Sequence, residues 1–207
     1  MQGYFVTGTD TDIGKTHAAV KLIERWRAEG QRVLAMKPVA SGCEVLPDGR
    51  WSNSDVERLV AATGQTDLEL MNPYRFLPPI SPHIAARQAG VDISLEVIGA
   101  HYRRLAESAD VVLVEGAGGW LAPLTERLFM KDLAQVLRLP VILVVGMRLG
   151  CINHALLTVR AIEAAGLPLA GWVANRVVPE QAAYAENLAT LQAYIAAPLL
   201  LEIPYEG

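Results

Sequence analysis

A doubly wound, mostly parallel α/β sheet flanked by helices, in a single domain over residues 1–207, is the fold this sequence predicts. Three observations predict it. Short β-branched runs are apolar along their whole length, stretches of helical periodicity separate them, and glycines stand where those stretches end. Strands apolar on both faces belong to sheets covered by helices on both sides. Regular alternation of strand and helix implies crossover connections within one sheet.

In order, Tyr4–Thr7 reads as a buried strand and Thr16–Glu29 as the helix after it. Val33–Lys37 is a second strand, and Ser54–Ala62 and Ser94–Ser108 are helical. Val111–Val114 and Val141–Val145 are short, branched strands, followed by a helix over Ile152–Ala165. Leu169–Ala174, a helix over Pro179–Ile195, and Leu199–Ile203 complete the alternation. Gly30, Gly64 and Gly166 fall at expected helix C-caps. Two segments resist the pattern. Pro38–Asn53 is rich in Ser, Gly and Pro, and Met71–Ser81 carries Pro73, Pro78 and Pro79, which rules out a long regular helix there. Ligands of open α/β sheets gather beyond the carboxyl ends of the strands, so the first of these loops is a candidate substrate-binding segment.

Composition narrows the classes. Hydrophobic residues make up 52% and charged residues 19%, which opposes disorder. No apolar run approaches the roughly 18–20 residues of a membrane span, and the N-terminus lacks the pattern of a signal peptide. Cys43 and Cys151 stand far apart and form no metal-type pair; a reducing, cytoplasmic setting is expected. A net charge of −4 without a dense basic run argues against nucleic acid as the partner. The cations are fourteen Arg and only four Lys, namely Lys15, Lys21, Lys37 and Lys131. An Arg-rich codon preference accounts for that bias, and it makes a Lys at a strand end more notable.

Gly8-Thr9-Asp10-Thr11-Asp12-Ile13-Gly14-Lys15-Thr16 follows the first strand and opens the first helix, the context a phosphate-binding loop requires. Backbone N–H groups at a helix N-terminus can cradle phosphate oxygens. Gly14 permits close approach, Lys15 brings charge to the β and γ phosphates, and the Thr16 hydroxyl can ligate Mg2+. Gly8 and Gly14 enclose five residues where the common pattern has four. Further on, Val111-Val112-Leu113-Val114-Glu115 is an apolar strand ending in a carboxylate, and Gly116-Ala117-Gly118-Gly119 follows as a glycine loop. Beside a phosphate loop this reads as a Walker B acid for Mg2+, with glycines that let the loop approach a nucleotide. An ordinary strand-end acid is the alternative. Asp55, at the start of a helix after Ser52-Asn53-Ser54, reads from spacing as a cap partner or dipole stabiliser.

Five strings, in order along nearly the whole chain, carry a resemblance. They are Gly8-Thr9-Asp10-Thr11 before Gly14-Lys15-Thr16, Lys37-Pro38-Val39-Ala40-Ser41-Gly42, Glu115-Gly116-Ala117-Gly118-Gly119, Gly150-Cys151-Ile152-Asn153-His154, and Gly171-Trp172-Val173-Ala174-Asn175. Together they resemble the dethiobiotin synthetases, ATP-dependent enzymes of the P-loop NTPase superfamily. The resemblance implies that 7,8-diaminononanoate takes up CO2 as a carbamate, that ATP phosphorylates the carbamate, and that the second amine closes a ureido ring. It implies Lys15, Lys37, Thr11 and Ser41 as catalytic residues, the last three also touching substrate, and Thr16, Asp55 and Glu115 as holders of Mg2+. The nucleotide would meet Asp12, Ile13, Gly14, Lys15, Thr16 and His17, with Gly116, Ala117 and Gly118 from the glycine loop. Asn175 and Arg176, with Pro204 and Tyr205, would border the base. Gly150, Cys151, Ile152 and Asn153 would take the substrate's tail carboxylate across a homodimer interface.

Bland readings remain beside these. Thr11 and Ser41 suit turns, Asn153 can cap, and Cys151 can fill core space. The family often has an acid where Arg176 stands, and a Tyr where Asn187 stands, with Tyr184 one helical turn earlier. The rival from another class is a MinD- or partition-type ATPase that uses nucleotide to dimerise. Asp10 stands where its signature Lys would be, and the Lys37–Gly42 string also opposes it. An amidotransferase-linked ligase domain is a further rival, opposed by the lack of room for a glutaminase.

Overall fold

A computed structural model describes residues 1–206. Its elements are β1 (Gln2–Gly8), α1 (Lys15–Ala28), β2 (Val33–Met36), β3 (Val39–Ser41), β4 (Glu44–Val45), β5 (Trp51–Ser52), α2 (Ser54–Thr63), α3 (Leu68–Met71) and β6 (Tyr74–Phe76). There follow α4 (Pro82–Ala89), α5 (Leu95–Ala106), β7 (Val111–Gly119), α6 (Met130–Leu137), β8 (Val141–Met147), α7 (Cys151–Ala164), β9 (Leu169–Arg176), α8 (Tyr184–Tyr194) and β10 (Leu199–Ile203). Six strands form one sheet in the order β10-β9-β8-β1-β7-β2, and every pairing in it is parallel.

The apolar runs explain the layers. Side chains alternate across a strand, so each all-apolar strand feeds two cores. On β7, Val111 and Leu113 pack with Ala18, Leu22 and Leu59 of α1 and α2, while Val112 and Val114 pack with Ile98, Leu105 and Leu133 of α5 and α6. On β8, Leu143 and Val145 pack with Ala155 and Val159 of α7 and Leu191 of α8. Helices therefore cover both faces, as expected. Among the described residues, no helix is long and apolar enough to cross a membrane.

Three differences from the sequence reading have physical causes. The last helix begins at Tyr184 rather than at residue 179, because Ala183 sits at φ 54, which an α-helix cannot contain. The strand containing Glu115 does not stop there but runs to Gly119, since Gly8 of β1 pairs with Gly119. The two irregular segments find each other: β3 and β6 pair in parallel over Val39–Ser41 and Tyr74–Phe76. That pairing is nonlocal, and neither strand announces it alone. Helix α4 did have a local signal, Ser81-Pro82 at its start and Gly90 at φ 64 past its end.

Candidate functional site

Sheet register builds the site. Met36 of β2 lies opposite Val114 of β7, so the next residues, Lys37 and Glu115, emerge side by side. Val6 of β1 lies opposite Glu115, which places the carboxylate on the strand between β1 and β2, beside the β1–α1 loop. The backbone of Lys37 is fixed from outside the sheet: its N–H donates to Met71 O at 2.9 Å, and Asn72 Nδ2 donates to its carbonyl.

Four side chains then converge. Lys37 Nζ donates to Asp55 Oδ2 at 2.9 Å and to Glu115 Oε1 at 2.5 Å, and Thr16 Oγ1 donates to Glu115 Oε1 at 2.7 Å. Asp55 is not the helix cap. Asn53 caps α2, its Oδ1 accepting from the N–H groups of Asp55 and Val56, and its Nδ2 donates to Ser41 O at 3.2 Å. That frees the Asp55 carboxylate for Lys37. Glu115 is fully buried, so its charge requires these partners. Burial works against the Lys37 ammonium, but Glu115 and Asp55 outweigh it and hold its pKa above the ordinary lysine value. Burial likewise opposes the Asp55 carboxylate, yet the Lys37 ammonium beside it keeps its pKa below the usual range.

Lys15 Nζ donates to the carbonyl of Asp10 at 2.9 Å. Burial, and then the neighbouring Lys37, lower its pKa, partly offset by Glu115 and Asp55. Asp10 holds more of the loop: its Oδ1 accepts from Thr11 N at 2.8 Å and its Oδ2 from Arg148 at 2.6 Å. Gly14 sits at φ 78, and a Cβ there would lie 2.2 Å from Asn175 Nδ2. The close approach that demands glycine is therefore to Asn175, whose Nδ2 donates to Ile13 O at 2.8 Å. At Gly116 a Cβ would press on the Phe5 ring, so this position also packs tightly against the core. Gly118, at φ 65 and facing Ala122 and Thr11, is the glycine on the loop side.

A cavity of about 720 Å³ opens over this cluster, a size suited to a small-molecule ligand. It brings together Thr11, Asp12, Gly14, Lys15, Thr16 and His17 from the loop and α1. Lys37, Ser41, Asp55, Glu115, Ala117 and Gly118 line it too. Ser41 Oγ and Glu115 Oε2 are buried without a hydrogen-bond partner. Unsatisfied buried oxygens on a cavity wall point to a ligand that satisfies them. The oxygens of Thr16, Asp55 and Glu115 are hard donors of the kind Mg2+ prefers, and the orphaned Glu115 Oε2 fits such a cation.

Ile13, buried in the core, and Gly116 do not line this cavity, and the other expected residues lie off it in two groups. Asn175, Arg176, Pro204 and Tyr205 meet at the ends of β9 and β10, where Asn175 pairs with Ile203. Asn175 is 6% exposed and holds the loop from behind, while Arg176 stacks on the Tyr184 ring at 3.8 Å. Desolvation and the hydrogen bond to Glu202 push the Tyr184 phenol up to about 12. Gly150, at φ 91, opens α7, followed by Cys151, Ile152 and Asn153. Asn153 does not cap, for no side chain caps α7, and Cys151 is buried at 2% exposure. The ion pair of Arg148 with Asp10 ties this segment to the phosphate loop. Arg58, Asn53, Asn72 and Arg148 are site-building residues the sequence did not single out. Only Asn53 carried a local signal, as an Asn before an acidic helix start.

A glycine loop between a central parallel strand and a helix, carrying Lys15 and Thr16 beside a strand-borne carboxylate, defines a P-loop nucleoside-triphosphate-binding protein. Fold comparison agrees. MinD in the MinC:MinD cell division protein complex of Aquifex aeolicus superposes with a TM-score of 0.62 at 15% identity, covering 100% of this chain and 82% of that one. A ParA family ATPase from Chlorobium tepidum gives 0.57 at 15% identity, covering 99% and 85%. At such identities these show the fold alone. The AAA domain family model matches residues 2–207. The chain is 52% identical to the ATP-dependent dethiobiotin synthetase BioD of Nitrosospira multiformis, over 99% of this chain and 89% of that protein. It is 51% identical to BioD 1 of Escherichia coli K12, over 98% and 90%. The chain belongs to the ATP-dependent dethiobiotin synthetase family.

Proposed function

We propose that this protein makes dethiobiotin from 7,8-diaminononanoate, CO2 and ATP, with Mg2+, releasing ADP and phosphate. Half identity to dethiobiotin synthetases over nearly the whole chain is the observation that carries the reading. One amine nitrogen of the diamine bonds to the carbon of CO2 and loses a proton to give a carbamate. A carbamate oxygen then attacks the γ-phosphorus, and the bond to ADP breaks. The second amine attacks the carbonyl carbon of the mixed anhydride, phosphate leaves, and the urea ring closes.

The chain's own residues suit these steps. Carbamate and γ-phosphate are both anionic, so their approach needs cations in a dry site. Lys15, on the loop, meets the nucleotide phosphates. Lys37, buried at the end of β2, faces the carbamate where the γ-phosphate arrives. Thr11 and the unsatisfied Ser41 hydroxyl hydrogen-bond the amine or carbamate. Asp12, Ile13, Gly14, Thr16 and His17 supply the loop that cradles the phosphates, with Ala117 and Gly118 opposite. Thr16, Asp55 and Glu115 would hold Mg2+, which supplies charge neutralisation of the phosphate oxygens. Asn175, Arg176, Pro204 and Tyr205 would receive the base beside the loop.

Purified protein is expected to release ADP only when the diamine and bicarbonate are both present, with dethiobiotin appearing mole for mole by mass spectrometry. Brisk ADP release that ignores the diamine would replace this reading with a nucleotide switch.

The Gly150–Asn153 segment lies outside the cavity of its own chain, which suits service to a neighbouring chain in a homodimer. Leu149 and Leu157 beside it are 95% and 62% exposed, an apolar surface that a partner would cover. Light scattering is expected to give a dimer at assay concentration, and a fully active monomer there would contradict a shared site.

A further inference from the structure

The cavity carries a cation that no step above uses. Arg58 lies one turn after Asp55 on α2, a spacing that puts both side chains on one helix face. Both line the cavity. Of the other two cations, Lys37 is bound by two carboxylates, while Lys15, already assigned to the phosphates, donates only to a backbone carbonyl. Arg58 has no carboxylate within ion-pair distance among the described residues. Its side-chain partner is His17 Nδ1, 2.9 Å from its Nη2. A guanidinium has only donors, so Nδ1 accepts and any proton on a neutral imidazole lies on Nε2. His17 thus holds Arg58 without neutralising it. His17 is the third residue of α1 and lines the cavity from the first turn, whose N–H groups have no partner within the helix.

We propose that His17 and Arg58 form a clamp on the nucleotide polyphosphate. Arg58 is the binding cation, and His17 is the positioning residue that aims it across from α2 to the first turn of α1. The proposal rests on the nucleotide site described above and adds a residue pair to it. A guanidinium fork matches phosphate oxygens, and an anchored fork loses less rotamer freedom on binding than a free one.

Calorimetry on the full chain with two probes, ATP and inorganic tripolyphosphate, tests it. Arg58→Ala is expected to weaken both about five- to tenfold, as loss of one partly solvated charged hydrogen bond would. His17→Ala should weaken both to a similar degree, and His17→Asn should restore binding, because its amide oxygen can accept where Nδ1 did. A merely structural His17 would show no such rescue. The clamp is wrong if Arg58→Ala binds tripolyphosphate as the wild type does, or if His17→Asn is as weak as His17→Ala. Wild-type protein that binds both probes but makes no dethiobiotin would sink the proposed reaction and leave the clamp standing. Wild-type protein that makes dethiobiotin while Arg58→Ala binds normally would sink the clamp alone.

Discussion

Lys37→Ala will still bind ATP with Mg2+ but will form dethiobiotin at least about a hundredfold more slowly than the wild type. The magnitude follows from a charged contact in a dry site, worth roughly 3 kcal/mol when it grows toward the transition state. An interaction realised only as phosphoryl transfer proceeds lowers kcat more than it weakens ground-state binding. The structure adds a stability consequence. Lys37 Nζ is the shared partner of Asp55 and the fully buried Glu115, so its removal leaves two carboxylates facing each other. Breaking a fully buried pair costs about 3–5 kcal/mol. The Asp55 side chain is 40% exposed, so water recovers part of this and the loss in melting experiments should be smaller. Lys37→Arg should also be slow, because a planar fork cannot place one compact ammonium between both carboxylates. Calorimetry for nucleotide and a product assay decide the matter: wild-type turnover in Lys37→Ala, or a loss confined to ATP affinity, would mean that the assigned role is wrong.

Lys15→Ala is expected to lose turnover altogether while keeping its fold. In the protein, the Lys15 side chain contributes one hydrogen bond, to the part-buried carbonyl of Asp10, next to the cavity-lining Thr11 and Asp12. Water in the cavity can take over that carbonyl, so the structural cost is small. Burial and the adjacent Lys37 already disfavour the Lys15 charge, so folding gains little from it. Its benefit comes when phosphates arrive, and then no other loop side chain supplies a cation in its place. Circular dichroism should show wild-type melting within a few degrees, while ADP release in the presence of diamine and bicarbonate falls below detection. A folded Lys15→Ala protein with near-normal turnover would remove the phosphate-loop assignment.

The two lysines differ in how far each could be read from sequence. Gly14-Lys15-Thr16 is contiguous and follows an apolar strand, so local order alone placed it at a helix N-terminus. Lys37 and Glu115 were each visible as polar residues closing apolar runs, but their contact depends on the parallel register of β2 and β7. Asp55 shows the limit most clearly. Its spacing matched a helix-cap partner, and Asn53 turned out to make the cap. Only with that cap taken is the Asp55 carboxylate free to meet Lys37. Asn175 shows the converse, since a residue expected beside the base also pins Ile13 and makes Gly14 obligatory.

The sequence by itself determined the strand-helix alternation, the phosphate loop and the central acid. Each is written in contiguous residues, where hydrophobic period and backbone freedom act over a few positions. The tertiary structure decided what meets across the chain: the β3–β6 pair, the Lys37 bridge, the Asp10–Arg148 tie, and the His17–Arg58 contact between α1 and α2. Those contacts join residues separated by eighteen positions or more, and strand register and helix packing set them, which no local pattern of side chains encodes.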